Sequence, residues 1–186
     1  MSNPQFFYKL FQDRGRKNYG EQITMQEHML QSAWFAKQQQ ESPELILACL
    51  FHDIGHLLHK YGDTIADEGI DGFHEQMGAD FLKKYFSESV SEPVRLHVDA
   101  KRYLCHAKEG YYEKLSDASK HSLTLQGGAM DATEAKQFES GPYFEAALRL
   151  RTYDEMGKLI DFSCGCVEDY ESMISDHLRD SAFVHA

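Results

Sequence analysis

The feature that most constrains this chain is a histidine–aspartate pair inside an apolar run. His52 and Asp53 lie within residues 49–58, and the apolar residues 45–47 before them predict a buried helix. A buried charge requires a partner, and a metal ion is favoured here, although a lone pair of this kind is also compatible with a structural role. His56 follows His52 by one helical turn, so the run predicts both imidazoles on one face.

Other potential ligands are spread along the chain, so the ligands would come from different helices. They are His28, His74, His97 and Asp154. Nitrogen and oxygen donors without matching thiolates suit a pair of iron, manganese or similar ions better than structural zinc. Two of these residues have a simpler interpretation than metal binding. His28 is compatible with a capping or surface histidine, and Asp154 with the partner of Arg151 in an exposed salt bridge. The functional interpretation of Asp154 and Arg151 is a metal-bound carboxylate beside a guanidinium that binds substrate oxygens.

Composition limits the class of protein. The 186 residues and 42% hydrophobic content predict one domain, residues 1–186, with a packed core. A net charge of −11 argues against nucleic acid as a partner. There is no long apolar segment and no basic-then-apolar leader, so we expect no membrane association and a cytoplasmic location. The four cysteines are expected to be reduced.

Start and stop signals predict an all-α fold, because helical patterns recur and no strand pattern persists. Thr24 with Glu27 and Asp131 with Glu134 have the spacing of capping boxes, and Ser42 before Pro43 is a typical helix start. Further helices are expected over 3–13, from His74, from Pro93 to 106, over 143–160 and from Val167, and one is expected to end at Gly127-Gly128. The glycine-broken, acidic stretch 61–72 is interpreted as a solvated connection, with a loop over the site as the alternative.

Lys101 lies one turn after His97 on the same predicted face. A lysine beside a metal ligand is unfavourable unless an anion binds there. This pattern therefore indicates an anionic small molecule near the metals, in a chain whose overall charge is negative.

The order of these residues resembles the HD-domain superfamily of all-helical metalloproteins, over nearly the whole chain. Within it, the sequence is similar to the phosphonate-cleaving oxygenases that bind two irons. The segments that carry the resemblance are Tyr19-Gly20-Glu21, Glu27-His28, His52-Asp53-Ile54-Gly55-His56, His74-Glu75, Gly78-Ala79, residues 97–104, residues 115–119, Gln126-Gly127-Gly128 and Arg151-Thr152-Tyr153-Asp154.

The resemblance implies an HD-domain helical bundle with a dinuclear metal centre in its core. One iron would be held by His28, His52, Asp53 and Asp154, and the other by His74 and His97, with Asp53 bridging. It also implies an Fe(II)/Fe(III) pair with dioxygen as co-substrate, and a phosphonate surrounded by His56, Lys101, Ser119 and Arg151. Tyr19 and Glu21 would form a flap whose tyrosine occupies an iron site until substrate arrives.

The expected reaction is oxygen-dependent cleavage of the C–P bond of a 1-hydroxy-2-aminoethylphosphonate. In one branch of these oxygenases a residue separates the flap tyrosine from the glycine, and alanine is expected where this chain has Asp99. The adjacent Tyr19-Gly20 and Asp99 therefore favour (R)-1-hydroxy-2-(trimethylammonio)ethylphosphonate, giving glycine betaine and phosphate. The alternative is (R)-2-amino-1-hydroxyethylphosphonate, giving glycine. An upstream phosphonate hydroxylase is expected to supply the substrate.

Two other classes of function compete with this one. The first is a hydrolase that uses the same two metals to activate water for attack on a phosphoester. Hydrolysis is a commoner reaction on such a fold than oxygenation. A regulatory domain with structural metals is the other, and it leaves the cationic residues beside the ligands without a role.

Overall fold

The computed structural model describes residues 4–16, 22–58 and 72–179, and in these ranges the chain is all-helical, as expected. The helices are α1 (Gln5–Arg14), α2 (Met25–Gln38), α3 (Pro43–Phe51), α4 (Ile54–Leu58), α5 (His74–Leu82), α6 (Glu88–Ala107), α7 (Tyr111–Lys114), α8 (Asp117–Leu125), α9 (Ala132–Glu139), α10 (Phe144–Met156) and α11 (Glu171–His177), with a 3₁₀-helix over Val167–Tyr170 before α11.

Helices begin where the side chains cap their own first turn. The Thr24 hydroxyl accepts from the Glu27 backbone N–H, and the Glu27 carboxylate accepts from the Thr24 N–H at 2.7 Å. Asp131 and Glu134 form the same reciprocal pair before α9. Ser42 caps α3 with Pro43 in the first turn. These predicted starts are confirmed, because they depend on contacts within four residues.

The apolar run is not one helix, and that expectation was wrong. Helix α3 ends at Phe51 and α4 begins at Ile54, so the helix is interrupted at His52 and Asp53. Adjacent side chains on a continuous helix point about 100° apart, whereas here the His52 Nε2 and an Asp53 oxygen lie 3.5 Å apart at one centre. Gly55 follows the break, and a Cβ there would lie 2.0 Å from the His74 carbonyl oxygen, so only glycine allows α5 to approach this closely.

Two other predicted helix boundaries were wrong. Helix α6 begins at Glu88 and contains Pro93, because burial of the proline and of its neighbours against the core outweighs the lost backbone hydrogen bond. Helix α10 ends at Met156 rather than at residue 160, because Gly157 packs so tightly on α2 that a Cβ would lie 2.4 Å from the Ser32 hydroxyl. The predicted helix from Val167 starts as the 3₁₀-helix and becomes α-helical at Glu171.

Helix α3 is the centre of the core. Every residue from Leu45 to Phe51 is buried, since α2, α6, α10 and α11 all pack around it. Phe7 of α1 closes one end, with its ring centroid 5.0 Å from that of Phe51 and 5.5 Å from that of Phe86. Burial of each such side chain stabilises the fold by about 1.5–3 kcal/mol. The core thus fixes the end of α3, where the His52–Asp53 pair lies.

Two smaller expectations concern cysteine chemistry and membranes. Cys49, Cys105, Cys164 and Cys166 form no disulfide, and the expectation of reduced thiols stays a prediction. Across the three described ranges, no helix is long and apolar enough to cross a membrane.

Candidate metal centre and anion pocket

All the residues that the sequence predicts as ligands meet in the interior. They form two groups, His28 with His52 and Asp154, and Asp53 with His74 and His97, and within each group one donor atom per residue lies within 4.8 Å of the others. None of the six is more than 8% exposed. They come from α2, the α3–α4 break, the first turn of α5, the middle of α6 and the end of α10.

In the first group, the imidazoles of α2 and of the break face each other. The Nε2 atoms of His28 and His52 lie 3.0 Å apart. An oxygen of Asp154, Oδ1, lies 3.3 Å from the His28 Nε2 and 3.9 Å from the His52 Nε2. Three donors of two chemical types thus point at one small volume.

The second group is joined to the first by Asp53. Its Oδ1 lies 3.4 Å from the His74 Nε2 and 3.6 Å from the His97 Nε2, which are 3.2 Å from each other. Its other oxygen, Oδ2, lies 3.6 Å from the His28 Nε2 and 3.5 Å from the His52 Nε2. The two oxygens of the Asp53 carboxylate therefore face the two donor groups, one oxygen toward each group.

Each of the four imidazoles has an acceptor near its other nitrogen. The Nδ1 atoms of His28, His52 and His97 bond to the carbonyl oxygens of Gly157 (2.8 Å), Cys49 (2.9 Å) and Val94 (2.7 Å), and the His74 Nδ1 lies 3.5 Å from a Glu75 oxygen. An imidazole that donates through Nδ1 presents the lone pair of Nε2. This is the usual arrangement around metal-bound histidines.

The electrostatics favour the ligand forms of these groups. Burial lowers the pKa of His97 to about 4 and holds that of His74 well below its ordinary value, so both rings are neutral near pH 7. Burial alone would raise the pKa of Asp154, but the Arg151 guanidinium, together with His28 and His52, outweighs it and keeps the group ionised. For Asp53, burial raises the pKa, but the neighbouring imidazoles, His52 first, together lower it by more, and a bound cation would act in the same direction.

These residues fit a pair of metal ions. The Asp154 Oδ1 is fully buried and has no hydrogen-bond partner within the described part of the chain, which is unfavourable for a carboxylate unless a cation meets it. Four imidazoles and two carboxylates, with no thiolate among them, suit iron or manganese.

Beside this centre lies a group of cationic side chains, of which Lys101 and Arg151 are buried. Lys101 is 4% exposed, and its Nζ donates to the Ser122 hydroxyl at 2.8 Å. Burial, then the charges of Arg151 and Lys158, lower its pKa to about 7 against the pull of Asp154. This place is therefore unfavourable for a cation, and a bound anion would stabilise the charged lysine.

Arg151 is held on two sides by hydrogen bonds. Its Nε donates to the Tyr111 hydroxyl and to a Glu155 oxygen, each at 3.1 Å, and its Nη1 donates to the Asp154 Oδ2. The reading of Arg151 with Asp154 as an exposed salt bridge was wrong, because the two residues are 4% and 2% exposed. The remaining nitrogen, Nη2, is buried without a hydrogen-bond partner among the described residues.

Lys158 belongs to the same group, and sequence reasoning missed it. Its Nζ donates to the hydroxyl of Ser119 at 3.1 Å and lies 3.4 Å from that of Ser116. Ser119 and Ser122 are three residues apart on α8, so this helix brings the two lysines to one place. The signal was available in part, because Lys158 follows Asp154 at the same spacing at which Lys101 follows His97. We call Lys101, Arg151, Lys158, Ser119 and Ser122 the anion pocket.

The remaining residues that the sequence analysis singled out lie in three different places. The His56 ring stacks on that of His74 with centroids 4.1 Å apart. Asp99 pairs with Arg102 at 3.3 Å on a half-buried face of α6. Tyr19 and Glu21 lie outside the described residues, as does most of the 61–72 connection.

The fold and this centre define a class: an all-helical protein with a buried histidine–carboxylate centre built for two metal ions. The family described as "HD domain" matches residues 25–136, which include five of the six candidate ligands, while Asp154 lies beyond them.

Curated relatives narrow the class further. The chain is 44% identical to 1-hydroxy-2-(trimethylamino)ethylphosphonate dioxygenase (glycine-betaine-forming) of Leisingera caerulea, over 84% of this chain and 81% of the relative. It is 38% identical to hydroxymethylphosphonate dioxygenase of Gimesia maris, over 94% of this chain and 87% of the relative. It is also 35% identical, over 97% of this chain and 84% of the relative, to an uncharacterised protein of Acanthamoeba polyphaga mimivirus. The chain belongs to the HD-domain family, in the group that contains these phosphonate dioxygenases.

Proposed function

We propose that this protein is an oxygenase that cleaves the C–P bond of a 1-hydroxyphosphonate, and that its substrate is (R)-1-hydroxy-2-(trimethylammonio)ethylphosphonate. The reaction consumes one dioxygen and yields glycine betaine, inorganic phosphate and a proton. By mass balance, one oxygen is added to C1, which becomes the carboxylate carbon, and one to phosphorus.

The observation that carries the proposal is the position of Asp53. Its two oxygens face two separate groups of donors, as a carboxylate that bridges two ions does, and the anion pocket lies beside them. His28, His52 and Asp154 would hold one ion and His74 and His97 the other. When bound as an Fe(II)/Fe(III) pair, the metals would supply the binding and reduction of dioxygen.

The protein itself would bind and orient the substrate. Lys101 and Arg151 place positive charge against the phosphonate, and Ser119 offers a hydroxyl donor. His56, whose ring stacks on that of His74, would add a further contact to the phosphonate, as the family resemblance implies. The proposed roles of Tyr19 and Glu21, a flap that closes over the amine end, rest on the family resemblance alone.

Related substrates define the competing outcomes. The relative from Gimesia maris is named for hydroxymethylphosphonate, which has no amine, and the primary-amine analogue would yield glycine. The relative from Leisingera caerulea, at higher identity, is named for the trimethylated substrate. A two-metal phosphohydrolase is disfavoured, because both named relatives are dioxygenases.

The experiment that tests the proposal uses protein purified without oxygen and reconstituted with ferrous iron. The three hydroxyphosphonates compete in one reaction, with and without dioxygen, and phosphate, glycine betaine, glycine and formate are measured. We expect glycine betaine to dominate and no phosphate to form without dioxygen. An excess of glycine or formate would reassign the substrate. Phosphate release from a phosphoester without dioxygen would establish the hydrolase. Supply of the substrate by a phosphonate hydroxylase stays a prediction.

A further inference from the structure

Arg151 is the residue through which the metal centre and the anion pocket meet. Its Nη1 bonds to Asp154, a candidate metal ligand, and its Nη2 is buried with no hydrogen-bond partner in residues 4–16, 22–58 and 72–179. A guanidinium has five N–H donors in one plane, so the direction of Nη2 is fixed once the other edges are fixed. What fixes the Nε edge therefore decides where Nη2 points.

That edge is held by a pair that the proposed function has not used. Arg151 Nε donates to both Tyr111 and Glu155, and the Tyr111 hydroxyl in turn donates to the same Glu155 oxygen. Tyr111 is 5% exposed and belongs to the short helix α7, whereas Glu155 lies one turn after Arg151 on α10. The three groups close a ring of hydrogen bonds, in which each constrains the other two.

The ion pair between Arg151 and Asp154 does not require the additional hydrogen bonds from Arg151 to Tyr111 and Glu155. Asp154 alone already supplies a carboxylate for Arg151, and a second carboxylate with a phenol adds direction more than charge. A guanidinium held on two edges cannot swing its whole plane about the side-chain torsions to follow a mobile anion. It offers Nη2 in one orientation only, which lowers the entropy lost when an oxyanion binds.

We propose that Tyr111 and Glu155 are positioning residues, which lock Arg151 so that its Nη2 meets one oxygen of the phosphonate. The inference rests on the proposed function, because it takes the anion pocket as the phosphonate site. In the proposed arrangement, neither residue touches the phosphonate or the metals. Their effect is therefore on the affinity for the anion and not on the metal content.

The test uses iron-loaded protein and the variants Tyr111→Phe and Glu155→Gln. Tyr112→Phe and Glu145→Gln are matched controls, because Tyr112 is the exposed neighbour on α7 and Glu145 an exposed residue of α10. The measurements are iron per chain, kcat and KM for the trimethylated hydroxyphosphonate, and the Kd of inorganic phosphate by calorimetry. Phosphate serves as a probe of the pocket that does not require turnover.

We expect Tyr111→Phe and Glu155→Gln each to raise KM and the phosphate Kd by about five- to tenfold, less than the loss of a direct charge-assisted bond. The iron content and the controls should be unchanged, and kcat should fall less than KM rises. The double variant should be no worse than about the larger single effect, because both partners hold the same N–H.

Lys101→Ala, measured in parallel, distinguishes a failure of the positioning role of Tyr111 and Glu155 from a failure of the proposed phosphonate site. If Lys101→Ala raises KM and the phosphate Kd but the two positioning variants leave both constants unchanged, the inference is overturned and the phosphonate site stands. If none of the three variants changes either constant, the phosphonate does not bind in this pocket and the proposed function fails with the inference. Loss of iron in Tyr111→Phe and Glu155→Gln, with affinity unchanged, would show a purely structural role and overturn the inference.

Discussion

The metal centre and the anion pocket are neighbours of opposite charge. The centre places two buried carboxylates among imidazoles, of which His74 and His97 are neutral near pH 7, so it requires cations. The pocket places Lys101 beside Arg151 and Lys158, so it requires an anion. Each region is unfavourable alone, and ligands of opposite sign would stabilise both. The Arg151–Asp154 pair joins them, which ties the position of a metal ligand to that of a phosphonate contact.

The variant that should separate the two regions most strongly is Asp53→Ala. Because its carboxylate faces both donor groups, we expect both ions to be lost together and activity to fall by at least about a hundredfold. The phosphate Kd should change far less, since the pocket cations remain. Metal analysis and calorimetry on the same sample measure the two effects.

Asp80→Ala is the control for Asp53→Ala, because Asp80 is exposed on α5. It should leave the metal content unchanged. Retention of one ion in Asp53→Ala would show that its carboxylate does not bridge, and would place it in one group only.

Lys101→Ala should affect the opposite region. We expect KM to rise about ten- to hundredfold, because a charge-assisted hydrogen bond is worth about 1.5–3 kcal/mol. Iron content should be retained, since Lys101 contacts Ser122 and no candidate metal ligand. Lys108→Ala, at the exposed end of α6, is the control. An unchanged KM would remove the phosphonate from this pocket.

The pH dependence of phosphate binding sharpens the same comparison. Burial, then Arg151 and Lys158, lower the pKa of Lys101 to about 7, while Asp154 and Asp53 act against them. The charged form that binds an anion is therefore present below pH 7 and is lost as the pH rises, so the phosphate Kd should rise by about tenfold from pH 7 to pH 9.

Lys101→Arg is the control for the pH series, because a guanidinium keeps its charge over this range. The ratio of its Kd to that of the wild type also cancels the ionisation of phosphate itself. A constant ratio between pH 6 and pH 9 would mean that Lys101 does not titrate there.

Lys158→Ala should give the smallest effect. Lys158 is only half-buried and bonds to Ser119, so we expect KM to rise by about three- to tenfold, with iron retained. Lys136→Ala, on the exposed side of α9, is the control. A loss larger than that of Lys101→Ala would reverse the proposed ranking of the two lysines.

The two regions also differ in how far the sequence predicts them. His52 and Asp53 were predicted from their place in an apolar run, which is a rare and costly pattern, whereas the assignment of the other four candidate ligands needed the family resemblance. Lys158, Tyr111 and Glu155 were missed, because lysine, tyrosine and glutamate are common on helix surfaces. Their roles appear only when α7, α8 and the end of α10 come together.

The same distinction holds for the fold. Starts fixed by local caps, such as Thr24 with Glu27, were predicted correctly. The break after Phe51 and the end of α10 depend on close approaches of Gly55 to His74 and of Gly157 to Ser32, which are contacts between segments far apart in sequence. Sequence periodicity carries no information about such contacts.

The most direct test of the central claim is a stoichiometry. Anaerobically purified, iron-reconstituted protein is given a limiting pulse of dioxygen with the trimethylated hydroxyphosphonate, and iron per chain, oxygen consumed and phosphate released are measured. We predict two irons per chain, a mixed-valent electron paramagnetic resonance signal after partial oxidation, and one phosphate for each dioxygen. Phosphate formed without oxygen uptake, or full activity with zinc or magnesium alone, would contradict it.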